Sequence, residues 1–232
     1  ATVPYFGVIH KDTFFHKNKY IKLPRTHPLE PDTIHGEGWI KKWTIKKKSK
    51  TSVELIYVHQ GKNSFPHKYK VWQKFSLNKT SLNISLRLTN LDHLSFDCGI
   101  GFHPWFNISA ETKIFSNNFT YIEKNKNNFT QKKLTADKSL NLNKYKIDKT
   151  FLNWNGKSKL LLNKDISLEI INKKNINNLH VYTPPKENFF CIEPVTNIGD
   201  AFQIKKNSKE YTGLRNLKKN KEFEASVEFK LL

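Results

Sequence analysis

Apolar and polar residues alternate with a period of two along most of this chain, in short runs closed off by Gly, Asn, Asp and Lys. The clearest runs are 52–58 (SVELIYV), 69–77 (YKVWQKFSL), 81–90 (SLNISLRLTN) and 223–231 (FEASVEFKL). Shorter ones occupy 160–162, 166–171 and 178–183. Alternation puts every second side chain on one face, so each run predicts a half-buried strand. No stretch carries the 3.6-residue stripe of a long helix. Many short strands with turn residues between them predict an all-β chain, built as a large antiparallel sandwich or barrel.

At 232 residues and 37% hydrophobic content, the chain is long enough to bury a sizeable core. That length fits one large β domain or two small ones. The unbroken run of strands favours a single domain over residues 1–232. The segment 117–149, rich in Asn and Lys, reads as a polar excursion with short strands and not as a linker.

The formal net charge of +20 raises the question of a polyanionic partner, since a basic face releases counterions from phosphate. The lysines are diffuse, however, and interleaved with asparagine, as in Lys41-Lys42, Lys46-Lys47-Lys48, Lys124-Asn125-Lys126 and Lys173-Lys174-Asn175. Arginine, the usual phosphate fork and base reader, occurs only at Arg25, Arg87 and Arg215. The charge therefore reads as solvated surface, and no specific nucleic-acid partner is expected. Cys98 and Cys191 both sit in apolar, strand-like runs and read as buried free thiols. No apolar run is long enough to span a bilayer, and no signal-peptide core is present. The cytoplasm is the expected compartment, although the chain has no Met and opens at Ala1.

Against this lysine-rich background three islands are lysine-poor, aromatic and titratable: HPLEPDTIHGEGW (27–39), GIGFHPWF (99–106) and VYTPPKENFFCIEPVTNIGDAF (181–202). In each, a strand-like segment runs into a His or Glu beside Gly or Pro, which ends the strand and turns a side chain toward a cleft. His35, His103 and Glu193 together offer one carboxylate and two imidazoles without metal-ligand spacing. A carboxylate can take a hydroxyl proton while an imidazolium gives one to an ether oxygen. Such a pair suits the opening and closing of a sugar hemiacetal, and Trp39, Trp105 and Phe106 could supply an apolar face for the ring. His10, His16, His27, His59, His67, His93 and His180 lack such context and read as surface or structural.

The islands also carry a family resemblance. GIGFHPWF resembles the G-x-G-F-H-P-[aromatic]-F signature of aldose 1-epimerases, the galactose mutarotases. HGEGWIKKW, IDKTFLNWNGKSKLLL, VYTPPKENFFCIEPVTNIGDAF and TGLRNLKKNKEFEASVEFKL are similar to further family stretches, in the family's order, so the resemblance covers essentially the whole chain. It implies a β-supersandwich of mostly antiparallel strands and an enzyme that interconverts the α and β anomers of an aldohexose, with no metal and no cofactor. By motif position His103 is the expected general acid on the ring oxygen and Glu193 the expected base on the anomeric hydroxyl. His35 is expected to hydrogen-bond near the anomeric centre, and Asp148 to hold sugar hydroxyls.

Two departures qualify the resemblance. The family pattern places several strands before a P-Y-x-N-R-I segment, whereas this chain opens near that point as ATVPYFGVIHK. The first strands are then missing, and a homodimer is the expected means of covering the edge. The position of the family arginine is Val8, which removes a charge-assisted donor pair. Two alternatives follow: a sugar-binding protein with little catalysis, and an epimerase of hexose 6-phosphates.

Overall fold

Three ten-residue strands, Lys68–Leu77, Ser81–Asn90 and Glu222–Leu231, arise from the longest alternating runs and lie side by side. Their antiparallel register stacks Gln73, Leu86 and Ala225 in one row and Phe75, Ile84 and Val227 in another. Leu86, Ala225 and Val227 are fully buried. Leu86 and Val227 are each worth roughly 1.5–3 kcal/mol when removed from water, and the single methyl of Ala225 about 0.8 kcal/mol. In the computed structural model, residues 1–16, 19–28, 30–62, 65–125, 128–133, 138–144, 146–207 and 211–232 are described.

These strands are the centre of a nine-stranded antiparallel sheet. Ser52–Gln60 and the edge strand Thr44–Lys48 extend it on one side, and Ser167–Lys174, Lys157–Leu161, Lys113–Phe115 and Ser139–Asn141 on the other. Every residue of Thr44–Lys48 is exposed. Its Lys46-Lys47-Lys48 run lies on the open edge, where lysines oppose edge-to-edge pairing with another chain. Part of the positive charge thus has a structural use.

A second sheet of six strands runs in the order Trp105–Asn107, Phe189–Val195, Asn178–Tyr182, Asp148–Phe151, Thr120–Asn125 and Asn128–Lys133. The last strands come from the polar excursion, which contributes Ser139–Asn141 to the first sheet as well. The hydrophobic core joins the two sheets: Phe151, Leu179, Val181, Phe190 and Ile192 of the smaller sheet pack with Val71, Leu88, Ile170 and Phe229 of the larger. Phe106 bridges them, with its ring centroid 5.5 Å from Phe190 and 6.4 Å from Phe229. The architecture is a β-sandwich, with a short helix at Ala201–Asn207 and a 3₁₀ turn at His10–Asp12. Cys98 and Cys191 are buried free thiols.

If one face of the six-stranded sheet fills the core, strand alternation turns the other face outward. On that face the register aligns Thr150, His180 and Glu193 across three strands. The neighbouring row is Asp148, Tyr182, Cys191 and Trp105. The chain's chemistry collects on these two rows.

Candidate active site

The rows form the floor of a cavity of about 1140 Å³. Glu193 is buried, and its Oε2 has no hydrogen-bond partner. His103 Nε2 lies 3.5 Å from that oxygen, and His180 Nε2 lies 3.9 Å from Oε1. His180 Nε2 is also 3.4 Å from Asp148 Oδ1, while Thr150 Oγ1 is 2.9 Å from Nδ1. A nitrogen facing two carboxylates is satisfied as a donor, so the ring's hydrogen belongs on Nε2 and Thr150 donates its hydroxyl to Nδ1.

His103 reaches Glu193 from the loop that follows the strand Phe96–Cys98. Gly99 and Gly101 let this loop lie against the strand that carries Glu193, with Phe102 N–H donating to the Pro194 carbonyl and Thr196 N–H to that of Ile100. A Cβ on Gly99 would fall 1.9 Å from Asn197 Oδ1. That oxygen accepts from Phe6 N–H at 3.0 Å while Asn197 Nδ2 donates to Phe6 O at 2.9 Å. Phe6, clamped in this way, packs its ring 5.1 Å from His35 and 5.0 Å from His180. One bare glycine thus serves the placement of two imidazoles.

His35 stands edge-on to His103, with ring centroids 5.1 Å apart. Its backbone is left-handed (φ 60°), a conformation that stores strain where surrounding contacts fix it. Gly7 provides those contacts: His35 N–H donates to Gly7 O at 3.0 Å, and Gly7 N–H donates to His35 Nδ1 at 3.1 Å. The second bond fixes the tautomer. With the lone pair on Nδ1, the neutral ring carries its hydrogen on Nε2 and is a hydrogen-bond donor there. The ligating atoms of His35, His103 and Glu193 all lie within 4.8 Å of one another, close enough to hold a metal ion. A His35 ring whose lone pair is engaged by Gly7 makes a poor third ligand, and the trio fits a hydroxylated guest better than a cation.

Behind the motif, Glu37 accepts from Tyr57 OH and meets His59 Nδ1, while His59 Nε2 faces the Phe65 carbonyl at 2.6 Å. Glu37 and His59 are both buried, so the network anchors the His35-Gly36-Glu37-Gly38 loop from below.

Burial lowers the His103 imidazolium pKa to about 4 and that of His180 to about 3. Repulsion from His180 adds to the His103 shift, and a contact with its own backbone carbonyl opposes it slightly. Burial also depresses His35, reinforced by His103 and His180. Glu193 is pushed well above the usual carboxylate range by the same desolvation, with Asp148 adding to it. Burial disfavours the charged form in each case.

The cavity's charge is opposite to that of the chain. Its lining contains Glu30, Glu123, Asp148, Glu187, Glu193 and Asp200, but among the described residues only one lysine, Lys149, and no arginine. Lys149 Nζ lies 4.8 Å over the Tyr121 ring. Val8 is on the wall. His10 joins it there, with Nδ1 3.1 Å from Asp32 Oδ2 and Nε2 2.7 Å from Asp200 Oδ1.

The aldose 1-epimerase family model matches residues 1–230. The chain belongs to the aldose 1-epimerase family. This is a family of isomerase-type enzymes acting on sugars. Among its relatives, an uncharacterised Escherichia coli K12 protein, YphB, is 31% identical over 103 residues, or 42% of this chain and 34% of its own length. Among solved structures, a candidate aldose 1-epimerase of Escherichia coli K12 superimposes with a TM-score of 0.86 at 20% identity, covering 100% of this chain and 82% of its own. A galactose mutarotase related enzyme from Lactobacillus acidophilus gives 0.80 at 18% identity, with coverages of 99% and 81%. These likenesses establish the galactose mutarotase-like β-sandwich for this family member. No helix among the described residues is long and apolar enough to cross a membrane.

Of the residues singled out in the sequence, His35, His103, Glu193, Asp148, Trp39 and Trp105 all line the cavity. The reading of His10, His27 and His180 as surface or structural needs correction, because all three are on the same wall. His27 stacks on Trp39 at 5.4 Å. His180 had only a partial signal: the symmetric centre of the TPPKEN turn, at Pro185 and Lys186, would set it opposite Cys191, whereas the observed register pairs it with Glu193.

Proposed function

We propose that this protein is a mutarotase that interconverts the α and β anomers of a neutral aldohexose. The observation that carries the proposal is the 3.5 Å approach of His103 Nε2 to Glu193 Oε2 on a cavity floor. The two oxygens on an anomeric carbon are closer together than this, so one group can address each. Protonated His103 gives its proton to the ring oxygen while ionised Glu193 takes the proton of the anomeric hydroxyl. The bond from C1 to the ring oxygen breaks, its electron pair staying on that oxygen, and the hydroxyl becomes the aldehyde carbonyl. Rotation about C1–C2 presents the other carbonyl face. On closure His103 recovers its proton, and Glu193 protonates the new anomeric oxygen.

Burial leaves the pair neutral at rest, with its proton on Glu193, and makes the minor form with the proton on His103 the more reactive one. Burial makes the His103 imidazolium a stronger acid and the Glu193 carboxylate a stronger base. His35, with Nε2–H toward the cavity, donates to an oxygen of the anomeric region, and Asp148 accepts from hydroxyls farther along the ring. Trp39 and Trp105 cover the apolar face of the sugar.

Polarimetry of freshly dissolved α-D-galactose and α-D-glucose, with and without protein, tests the reading. Acceleration above the buffer rate is expected, and a rate equal to buffer despite binding would instead support the sugar-binding alternative that Val8 raises. The pH profile gives a second expectation. The reactive pair holds one proton between them, so activity is lost below about pH 4 as His103 and Glu193 both become protonated. On the alkaline side it falls only above the ordinary carboxylate range, where the pair's last proton leaves.

The acidic lining argues against phosphorylated substrates. With six carboxyl groups, one lysine and no arginine among the described lining residues, a hexose 6-phosphate meets repulsion instead of the guanidinium fork that phosphate recognition uses. Glucose 6-phosphate is expected to be turned over at least about tenfold less efficiently than glucose, a margin of only 1.4 kcal/mol. Equal kcat/KM values for the two would remove the preference for neutral sugars.

A further inference from the structure

Away from the cleft, the imidazoles of His16 and His67 face each other nitrogen to nitrogen. His16 ends the first strand of the hairpin formed by Thr13–His16 and Lys19–Lys22, and His67 stands just before the strand Lys68–Leu77. Their Nε2 atoms are 3.0 Å apart, with the ring planes crossed at 79°. His67 is buried and stacked on Phe96, with centroids 4.8 Å and planes 18° apart. That packing fixes its ring.

On the far side of the ring, His67 Nδ1 lies 3.2 Å from Asp92 Oδ2. Asp92 also accepts from the backbone N–H groups of Lys68 at 3.2 Å and Leu94 at 3.1 Å. A carboxylate in this position accepts from Nδ1, so a neutral His67 carries its hydrogen there and aims the lone pair of Nε2 toward His16. A carboxylate behind a histidine is the arrangement that orients a metal ligand and raises its basicity.

The spacing agrees. Two nitrogens held about 2.0–2.1 Å from one ion are about 2.9 Å apart at a right angle and about 3.3 Å apart at the tetrahedral angle. The observed 3.0 Å falls between these values. The same two residues line a cavity of about 20 Å³, walled by Phe15, Phe65, Phe96, Phe202 and Asp97. That is room for one water-sized guest. Asp97 is already engaged by Lys205 Nζ at 2.6 Å and by Asn216 Nδ2 at 3.1 Å, so water completes the coordination.

We propose that His16 and His67 together bind one divalent transition-metal ion through their Nε2 atoms. Imidazole nitrogens suit zinc, nickel and copper, whereas magnesium and calcium take oxygen ligands. The ion ties the hairpin to a residue 51 positions farther along the chain, and its binding stabilises the folded state. Neither histidine lines the cavity of His103 and Glu193, so the proposal is independent of the mutarotase reading.

The test is calorimetry with zinc, nickel and magnesium chlorides on the full chain without an affinity tag, for the wild type, His16→Gln, Asp92→Asn and His103→Asn. The wild type is expected to bind one zinc or nickel ion and no magnesium. His16→Gln is expected to weaken binding by at least about tenfold, and Asp92→Asn, which keeps both ligands, by about 10–100-fold. His103→Asn is expected to bind as the wild type does. Zinc is expected to raise the thermal midpoint of the wild type and not that of His16→Gln. The proposal is overturned if the wild type takes up neither zinc nor nickel, which would leave the two rings joined by a proton alone. It is also overturned if folded His16→Gln binds as tightly as the wild type, or if the ion is lost in His103→Asn instead, which would place it at His35, His103 and Glu193.

Discussion

Glu193→Gln is expected to lower kcat for galactose or glucose mutarotation by about 10²–10⁴-fold, the contribution of a positioned general base. Gln has the shape of Glu but cannot take a proton from the anomeric hydroxyl. The same substitution is expected to stabilise the fold at neutral pH. Burial raises the folded Glu193 pKa above its unfolded value, so between those values the folded chain holds a proton that the unfolded chain has released. Stability then falls as pH rises through that window, and an uncharged amide escapes the loss. Polarimetry and thermal unfolding at several pH values measure both effects. A Gln variant that retains wild-type kcat would end the assignment of Glu193 as base. His103→Asn is expected to show a loss of similar size in kcat, and the double variant to lose little more, since both residues serve one proton transfer.

Gly36→Ala is expected to destabilise the protein by about 3 kcal/mol or more, through backbone strain and overpacking combined. Gly36 has a φ of +66°, and a Cβ there would lie 2.3 Å from Val3 O and 2.6 Å from Pro4 Cδ. The nearest obstacle is backbone, held where Val3 N–H donates to His35 O and Gly38 N–H to Val3 O. A methyl group must push apart the segment that carries Phe6 and the loop that carries His35. Activity is therefore expected to fall even at temperatures where the variant is folded. Denaturant unfolding, with kcat measured well below the midpoint, separates the two effects. A loss of stability under about 1 kcal/mol would show that the two backbones are free to move apart.

The long strands were legible because each buries one face, and a period of two survives in the sequence wherever that is so. The 81–90 run coincides with Ser81–Asn90, and 223–231 lies within Glu222–Leu231. His35, His103 and Glu193 were legible because Gly and Pro mark the places where strands end at a cleft. The Thr150–His180–Glu193 row was harder to read. Alternation assigns His180 to a face, but its partner depends on where the TPPKEN turn folds back. Beyond Asp148 and Glu193 the acid lining was not legible, because Glu30, Glu123, Glu187 and Asp200 come from separate parts of a chain in which lysine dominates locally. Only the sandwich brings them to one wall.

The distribution of the indole rings has an optical consequence. Trp154 is buried and donates to Ser158 Oγ, Trp43 donates to the Gly38 carbonyl, and Trp72 lies under Arg87 and bonds to Glu54. Trp39 and Trp105 are the tryptophans on the cavity wall. On the proposed reading, sugar entering the cleft is expected to change the solvent exposure of those two while the other three keep their surroundings. Intrinsic fluorescence therefore reports occupancy directly, even for a sugar that the protein holds without reacting.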